Sequence, residues 1–296
     1  MIAFLFPGQG AQFSGMGRHL FEDFPKQVEM ADRVLGHSVR DLCGQDEATL
    51  RETQNTQPAL FFVNALHLLW MQRMGVRADM AAGHSLGELN ALVAAGVLDL
   101  ESGLRIAVER GRVMASASDQ SVRGGMVAAS GLTDPSELDA LLKQEFPDFD
   151  RATLNSPSQV AVSGPAERTQ QLRTRIEELN LARAAILNVG CAFHSRYVAG
   201  AASDYRTWLQ QASVDIRPPR FSVYSNATAA PFPADRETIV ELMVQQLTSP
   251  VRWMDSIAAM VEQGPVLFQE LGPRSVVTPL VTETVARLER APSMAG

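Results

Sequence analysis

Cysteine is scarce in this 296-residue chain: there are two, Cys43 and Cys191, far apart and without the spacing of metal ligands. That argues against a disulfide framework or a zinc site and makes a reducing compartment the default. Basic clusters are missing as well. The formal net charge is -7 and the sequence isoelectric point about 5.3, so nucleic acid is not the expected partner. A local arginine patch can still dock an acidic protein, so net charge alone does not choose partners. No apolar run is long enough to span a membrane. The longest, around Ala59 to Met71, is interrupted by Asn64 and His67 and reads as a buried helix. The apolar start, Met1 to Phe6, runs straight into Pro7-Gly8-Gln9-Gly10, too short for a signal peptide and without its basic leader. Tandem repeats and low-complexity stretches are lacking. A soluble, cytoplasmic protein is expected. Its 46% hydrophobic residues give ample core for one large unit or two smaller ones.

What is present centres on Gly83-His84-Ser85-Leu86-Gly87-Glu88. The stretch lies between the apolar run Met80-Ala81-Ala82 and an apolar-periodic run from Leu89 to Leu98. Strand, Gly-x-Ser-x-Gly and helix form the layout of a nucleophile elbow. Its turn is so tight that side chains at the two glycines would meet neighbouring backbone. The Ser85 hydroxyl then projects at a helix N-terminus, where free N–H groups favour a developing oxyanion. The plain alternative is a Gly-rich turn with a serine cap.

Along the chain, Ile2 to Phe6 reads as a central strand covered on both faces. Helices are expected over Gly17 to Leu35, over Ala59 to Met74 with Thr56 as cap and Pro58 near its start, and from Glu101 to about Ala117. From Met126 to Val189 the rhythm becomes β-α-β-β-α-β, the ferredoxin-like pattern, within about 65 residues. The α/β alternation then resumes to the end. The fold class read from this is α/β. A large hydrolase-like subdomain with a mostly parallel sheet, residues 1–124 and 190–296, carries an inserted small ferredoxin-like subdomain, residues 125–189.

A serine hydroxyl needs a base, and there are five histidines. His19 falls on a polar helix side, His37 in a loop, and His67 within an apolar helix as a satisfied core residue. His84, adjacent to Ser85, shapes the turn. His194 remains, between a strand ending near Val189 and a helix starting near Ser195. That position is the C-terminal strand edge where functional residues gather in an open α/β sheet, the same edge as the Ser85 elbow; the plain alternative is a helix cap. No Asp or Glu stands out to orient its ring, so a backbone carbonyl or an amide oxygen takes that place, with Gln246 as a candidate. Arg110, with Ile106, Val113 and Met114 as helical neighbours, needs an anion. Spacing favours an internal pair with Glu88. The alternative is a substrate carboxylate gripped by the guanidinium fork.

These residues fall within an ordered set of segments: FPGQGAQ (Phe6–Gln12), TQPAL (Thr56–Leu60), GHSLGE (Gly83–Glu88), RGRVM (Arg110–Met114), NSPSQVAVSG (Asn155–Gly164), AFHSRY (Ala192–Tyr197), QLTSPVRW (Gln246–Trp253) and ELGP (Glu270–Pro273). In that set the chain resembles malonyl-CoA:acyl-carrier-protein transacylases, in particular the discrete acyltransferases that serve polyketide synthases in trans. The resemblance implies a cleft between the two subdomains with Ser85 as acylated nucleophile and His194 as base. It implies an oxyanion hole from the N–H groups of Gln9 and Leu86, Arg110 on the malonyl carboxylate, and Gln246 orienting His194. Phe193, Met114 and Asn155 would border the substrate, with Phe193 crowding the space of an α-methyl group. Malonyl would pass from malonyl-CoA to the phosphopantetheine thiol of an acyl carrier protein, in polyketide or fatty acid biosynthesis. Two departures, Cys191 and Leu89, lie where pocket shape is set, and Arg274 stands after ELGP where glycine is common. They leave open an acyl-carrier hydrolase or a different acyl group; a further alternative is an inactive docking subunit.

Overall fold

The computed structural model describes residues 1–117 and 123–290. Strand β1 (Ile2–Phe6) is followed by α1 (Arg18–Phe21), α2 (Pro25–Leu35), α3 (Val39–Gly44), α4 (Glu47–Arg51) and the long α5 (Thr53–Arg73). Next come β2 (Met80–Gly83), α6 (Gly87–Ala94) and α7 (Leu100–Ser116). The middle of the chain holds β3 (Gly124–Ser130), α8 (Pro135–Glu145), β4 (Asp150–Ser156), β5 (Gln159–Pro165), α9 (Thr169–Glu178) and β6 (Arg183–Leu187). The remainder is α10 (Ala199–Gln211), β7 (Ser222–Tyr224), α11 (Arg236–Thr248), α12 (Trp253–Val261), β8 (Leu267–Glu270) and α13 (Thr278–Arg290).

Two sheets result. The first is parallel, in the order β7-β2-β1-β8. Because side chains alternate along a strand, Phe4 and Phe6 of β1 enter one core while Ala3 and Leu5 enter another. Helix α6 lies against the first face with Leu89 and Leu92, and Leu60, Phe61 and Val63 of α5 join the same core. Trp253, Ile257 and Met260 of α12 cover the second. That double cover is why Ile2–Phe6 carries no polar alternation.

The second sheet is antiparallel, in the order β4-β5-β3-β6, and has the connections expected of the ferredoxin-like unit. Val127 and Ala129 of β3, with Val160 and Val162 of β5, pack under α8 and α9. The opposite face carries Met126, Ala128, Thr153, Asn155, Gln159 and Ala161, all lining a cavity of about 490 Å³ between the two sheets. The sheets are tied together where Leu154 N–H donates to the Val251 carbonyl at 2.8 Å and Val251 N–H to Ala152 at 2.9 Å.

Several elements depart from the sequence reading. The helix expected over Gly17–Leu35 is two helices, because Pro25 starts α2 afresh at its first turn. Two short helices, α3 and α4, had no strong periodic signal. Helix α5 begins at Thr53, with Pro58 inside it. Thr56 is therefore no cap; its hydroxyl donates to the Leu50 carbonyl at 2.6 Å. Packing of the buried first turns overrides the local cost of the proline. His67 is not satisfied: its Nε2 has no hydrogen-bond partner, and the ring meets His19 edge-on, 5.8 Å between centroids. Both cysteines are buried and free, their thiols pushed up to about 12 by burial.

Candidate active site

All four parallel strands deliver residues to one edge, as an open α/β sheet does at its C-terminal side. Gln9 follows β1, Ser85 follows β2, Asn226 follows β7 and Val276 follows β8. The elbow is as tight as its glycines require. A Cβ on Gly83 would fall 1.9 Å from the Gly87 carbonyl carbon, and one on Gly87 would fall 2.2 Å from the Phe6 oxygen. Ser85 itself sits at φ 52°, a left-handed conformation that costs a non-glycine residue about 1–3 kcal/mol.

Side chains from distant segments hold that conformation. Ser85 N–H donates to Asn226 Oδ1 at 2.7 Å, and Asn226 Nδ2 donates to the Gly83 carbonyl at 2.7 Å. The Asn226 N–H in turn donates to Glu88 Oε2 at 2.6 Å. From the other side, Gln246 Nε2 donates to the Ser85 carbonyl at 2.9 Å. Glu88 is wholly buried, and burial pushes its carboxyl up to about 8, against the opposing pull of the Asn226 N–H and the Arg110 charge.

The Ser85 hydroxyl lies 2.8 Å from His194 Nε2. On the far side of that ring, Nδ1 lies 2.9 Å from the Gln246 backbone carbonyl. A carbonyl only accepts, so Nδ1 carries the proton and Nε2 is left to accept from the serine. Burial first, and the Arg110 charge second, hold the imidazole down from 6.5 to about 3. It is thus neutral at physiological pH, with Nε2 unprotonated. The strand before His194 is β6, which belongs to the small antiparallel sheet. The histidine therefore reaches Ser85 from across the cleft, on the loop that leaves the small subdomain, and the expected shared edge of the parallel sheet is not how they meet. The capping role next to it belongs to Ser195, whose Oγ accepts from Tyr197 N–H.

Arg110 is 2% exposed and makes three hydrogen bonds, none to a carboxylate. Nη1 donates to Gln57 Oε1 at 2.8 Å, and Nη2 donates to Gln246 Oε1 at 2.7 Å and to Ser85 Oγ at 3.1 Å. The pair with Glu88 favoured by spacing is not made, since Glu88 turns to Asn226. The guanidinium is instead aimed at the serine by two neutral amides, with its positive charge uncancelled. Gln246 has a double part: its carbonyl faces His194, while its side chain ties Arg110 to the elbow. Met114 borders the same cavity and its sulfur accepts from Gln57 Nε2 at 3.2 Å. Phe193, Gln9 and Leu86 also line it. Asn155 lines it too, but its amide is engaged within the protein, with His84 Nε2 at 2.8 Å and Gln159 at 2.9 Å. Among the described residues, no group of three or more His, Cys, Asp or Glu converges to hold a metal.

Gln57 and Asn226 had drawn no role from the sequence. Gln57 lies within the TQPAL segment but ends a polar stretch, Thr53 to Gln57, that gives it no distinguishing mark; Asn226, after a short strand, offered none.

A family model for the acyl transferase domain matches residues 3–295. The chain belongs to the acyl transferase family. It is similar to the polyketide biosynthesis malonyl CoA-acyl carrier protein transacylase BaeC of Bacillus velezensis, 39% identical over 99% of this chain and 100% of that one. Among solved structures, it resembles the malonyl CoA-acyl carrier protein transacylase of Burkholderia pseudomallei, with TM-score 0.87, 37% identity, and 97% and 98% of the two chains covered. It also resembles a malonyl-transacylase in complex with the holo form of its type II polyketide synthase acyl-carrier protein, with TM-score 0.86, 31% identity, and 96% and 93% covered. This acyl transferase has no helix, among its described residues, long and apolar enough to cross a membrane.

Two predictions follow from the electrostatics and the hydrogen bonds. In a pH series with acetyl-CoA, which needs no carboxylate grip, the acid limb of Ser85 acylation lies well below 6.5, and Arg110→Gln moves it upward by removing a charge that disfavours imidazolium. Asn226→Ala leaves the Ser85 N–H and Gly83 carbonyl unpaired. It lowers stability to denaturant by about 1–3 kcal/mol and lowers kcat with KM little changed.

Proposed function

We propose that this acyl transferase moves a malonyl group from malonyl-CoA to the phosphopantetheine thiol of an acyl carrier protein. The observation that carries the reading is the placement of Arg110 Nη2 3.1 Å from Ser85 Oγ, with His194 Nε2 2.8 Å from the same oxygen. A nucleophile, a base and an uncancelled guanidinium meet at one atom. An acyl group that itself ends in a carboxylate uses all three.

In the first half-reaction Ser85 Oγ attacks the thioester carbonyl carbon as its proton passes to His194 Nε2. The carbonyl oxygen becomes an oxyanion between the N–H groups of Gln9 and Leu86, a type of contact worth about 3–4 kcal/mol per donor. Collapse breaks the carbon–sulfur bond, and the CoA thiolate takes the proton from His194. In the second half-reaction the carrier thiol gives its proton to His194 and attacks the ester, and Ser85 leaves with the proton restored. Thioester to oxyester to thioester is nearly balanced, so the cycle asks for no nucleotide or metal. Throughout, Arg110 grips the free carboxylate, and Gln57 and Gln246 hold the fork flat. Phe193 borders the space an α-methyl would occupy, a steric preference worth only ~1–3 kcal/mol. Asn155 acts on substrate through His84 and the cavity wall rather than by a free amide.

In this reading residues 125–189 form the wall that closes over the elbow, and 1–124 with 190–296 supply the catalytic edge. The protein works as a cytoplasmic monomer in polyketide or fatty acid biosynthesis, without nucleic acid, membrane or bound cofactor. The two buried free thiols suit a reducing setting.

The test compares acyl loading of Arg110→Ala from malonyl-CoA and acetyl-CoA. Malonyl loading falls at least about tenfold more than acetyl loading, the worth of one charged hydrogen bond. Equal loss for both contradicts a carboxylate grip.

A further inference from the structure

A second cavity of about 310 Å³ adjoins the first and shares Gln9, Leu187 and Val189 as wall. Two guanidinium groups line it, Arg51 from α4 and Arg274 from the loop after β8, together with one carboxylate, Glu47. Glu47 is paired with Arg51 at 2.7 Å. Two cations against one anion leave one positive charge, and it resides on Arg274.

Arg274 is held in place although it is exposed. Its guanidinium lies over the Phe13 ring, 4.6 Å from the centroid. A planar guanidinium stacked on a ring keeps its N–H edge free to donate. The nearby Glu270 does not neutralise it. The Glu270 oxygens accept from the N–H groups of Val276, Val277 and Thr278 at 2.7, 3.0 and 2.8 Å. Those bonds clamp one end of the loop. Leu271 N–H to the Leu5 carbonyl, 2.8 Å, fixes the other. Between them Gly272 lies so close to Pro7 that a Cβ would fall 2.4 Å from its ring. The same loop then places Val276 and Val277 on the wall of the Ser85 cavity. The cation is therefore set rigidly, two residues from the inner wall, in the next chamber along one cleft.

We propose that Arg274, with Arg51 beside it, forms an anion subsite for the phosphate ester of the pantetheine arm shared by CoA and by a holo carrier protein. This rests on the transfer reading above, in which both thiol partners reach Ser85 by that arm. A phosphate at the arm's far end is the charged group that the two thiol carriers, CoA and the holo carrier protein, have in common. An arginine fork matches its oxygens in pairs, and a site on the shared route can serve both steps.

The experiment measures Ser85 acylation by malonyl-CoA and by phosphate-free malonyl-pantetheine, and malonyl transfer to a holo acyl carrier protein, for wild type, Arg274→Ala and Arg274→Lys. Expected for Arg274→Ala is about a tenfold fall in kcat/KM, carried by KM, with malonyl-CoA and with the carrier. Malonyl-pantetheine is unaffected, Arg274→Lys restores part of the loss, and added salt narrows the gap. A loss confined to CoA, or to the carrier, supports the subsite and assigns it to that source of phosphate. Equal loss with malonyl-pantetheine, or no loss with either phosphate-bearing partner, overturns it. A Ser85 adduct that still forms from malonyl-pantetheine in the variant would leave the transfer reading standing.

Discussion

The structure turns on one strained residue held from four sides. Ser85 occupies a backbone conformation that costs about 1–3 kcal/mol, and beyond the local bond from Glu88 N–H to its carbonyl, 3.1 Å, it is held from far along the chain. Asn226 takes its N–H, Gln246 takes its carbonyl, and His194 and Arg110 share its hydroxyl. Each buried bond contributes about 1 kcal/mol net, and more where a charge takes part, so the set is enough to hold the strain. The donors and acceptors come from the loop after β7, from α11 and α7, and from the exit of the small subdomain. The elbow is thus stable only when both sheets are assembled around it.

That dependence explains the economy of polar groups in the cleft. Gln246 links three functions, facing His194 with its backbone and Arg110 and Ser85 with its side chain. Arg110 keeps its charge because its partners Gln57 and Gln246 are neutral amides. Had Glu88 paired with it, the charge would have been cancelled. Asn226 holds Glu88 away, and burial lowers the tendency of that carboxyl to ionise. Burial keeps His194 neutral, and the nearby guanidinium adds to it by penalising a second positive charge.

The elbow was legible in the chain because its chemistry is local. Two glycines, a serine, a preceding apolar run and a following helix leave few alternatives, and the backbone collisions at Gly83 and Gly87 have the predicted form. The ferredoxin-like rhythm was legible for a similar reason, through alternating strands and two amphipathic helices. What depended on tertiary packing was not. The start of α5 lies upstream of its proline because burial outweighs local preference. The strand before His194 carries no mark of which sheet it joins. A backbone carbonyl that orients a ring leaves no trace in residue identity, so Gln246 was found for its side chain while its carbonyl faces the histidine. Arg110 looked like half of an ion pair because spacing shows which residues are near, not which way they turn.

The central claim is that Ser85 becomes covalently acylated with a malonyl group. Intact-mass spectrometry after mixing the protein with malonyl-CoA, followed by peptide mapping, tests it most directly. The account predicts one malonyl adduct, located on the peptide bearing Ser85 and lost in Ser85→Ala. No adduct, or an adduct on another residue that persists in Ser85→Ala, would contradict it.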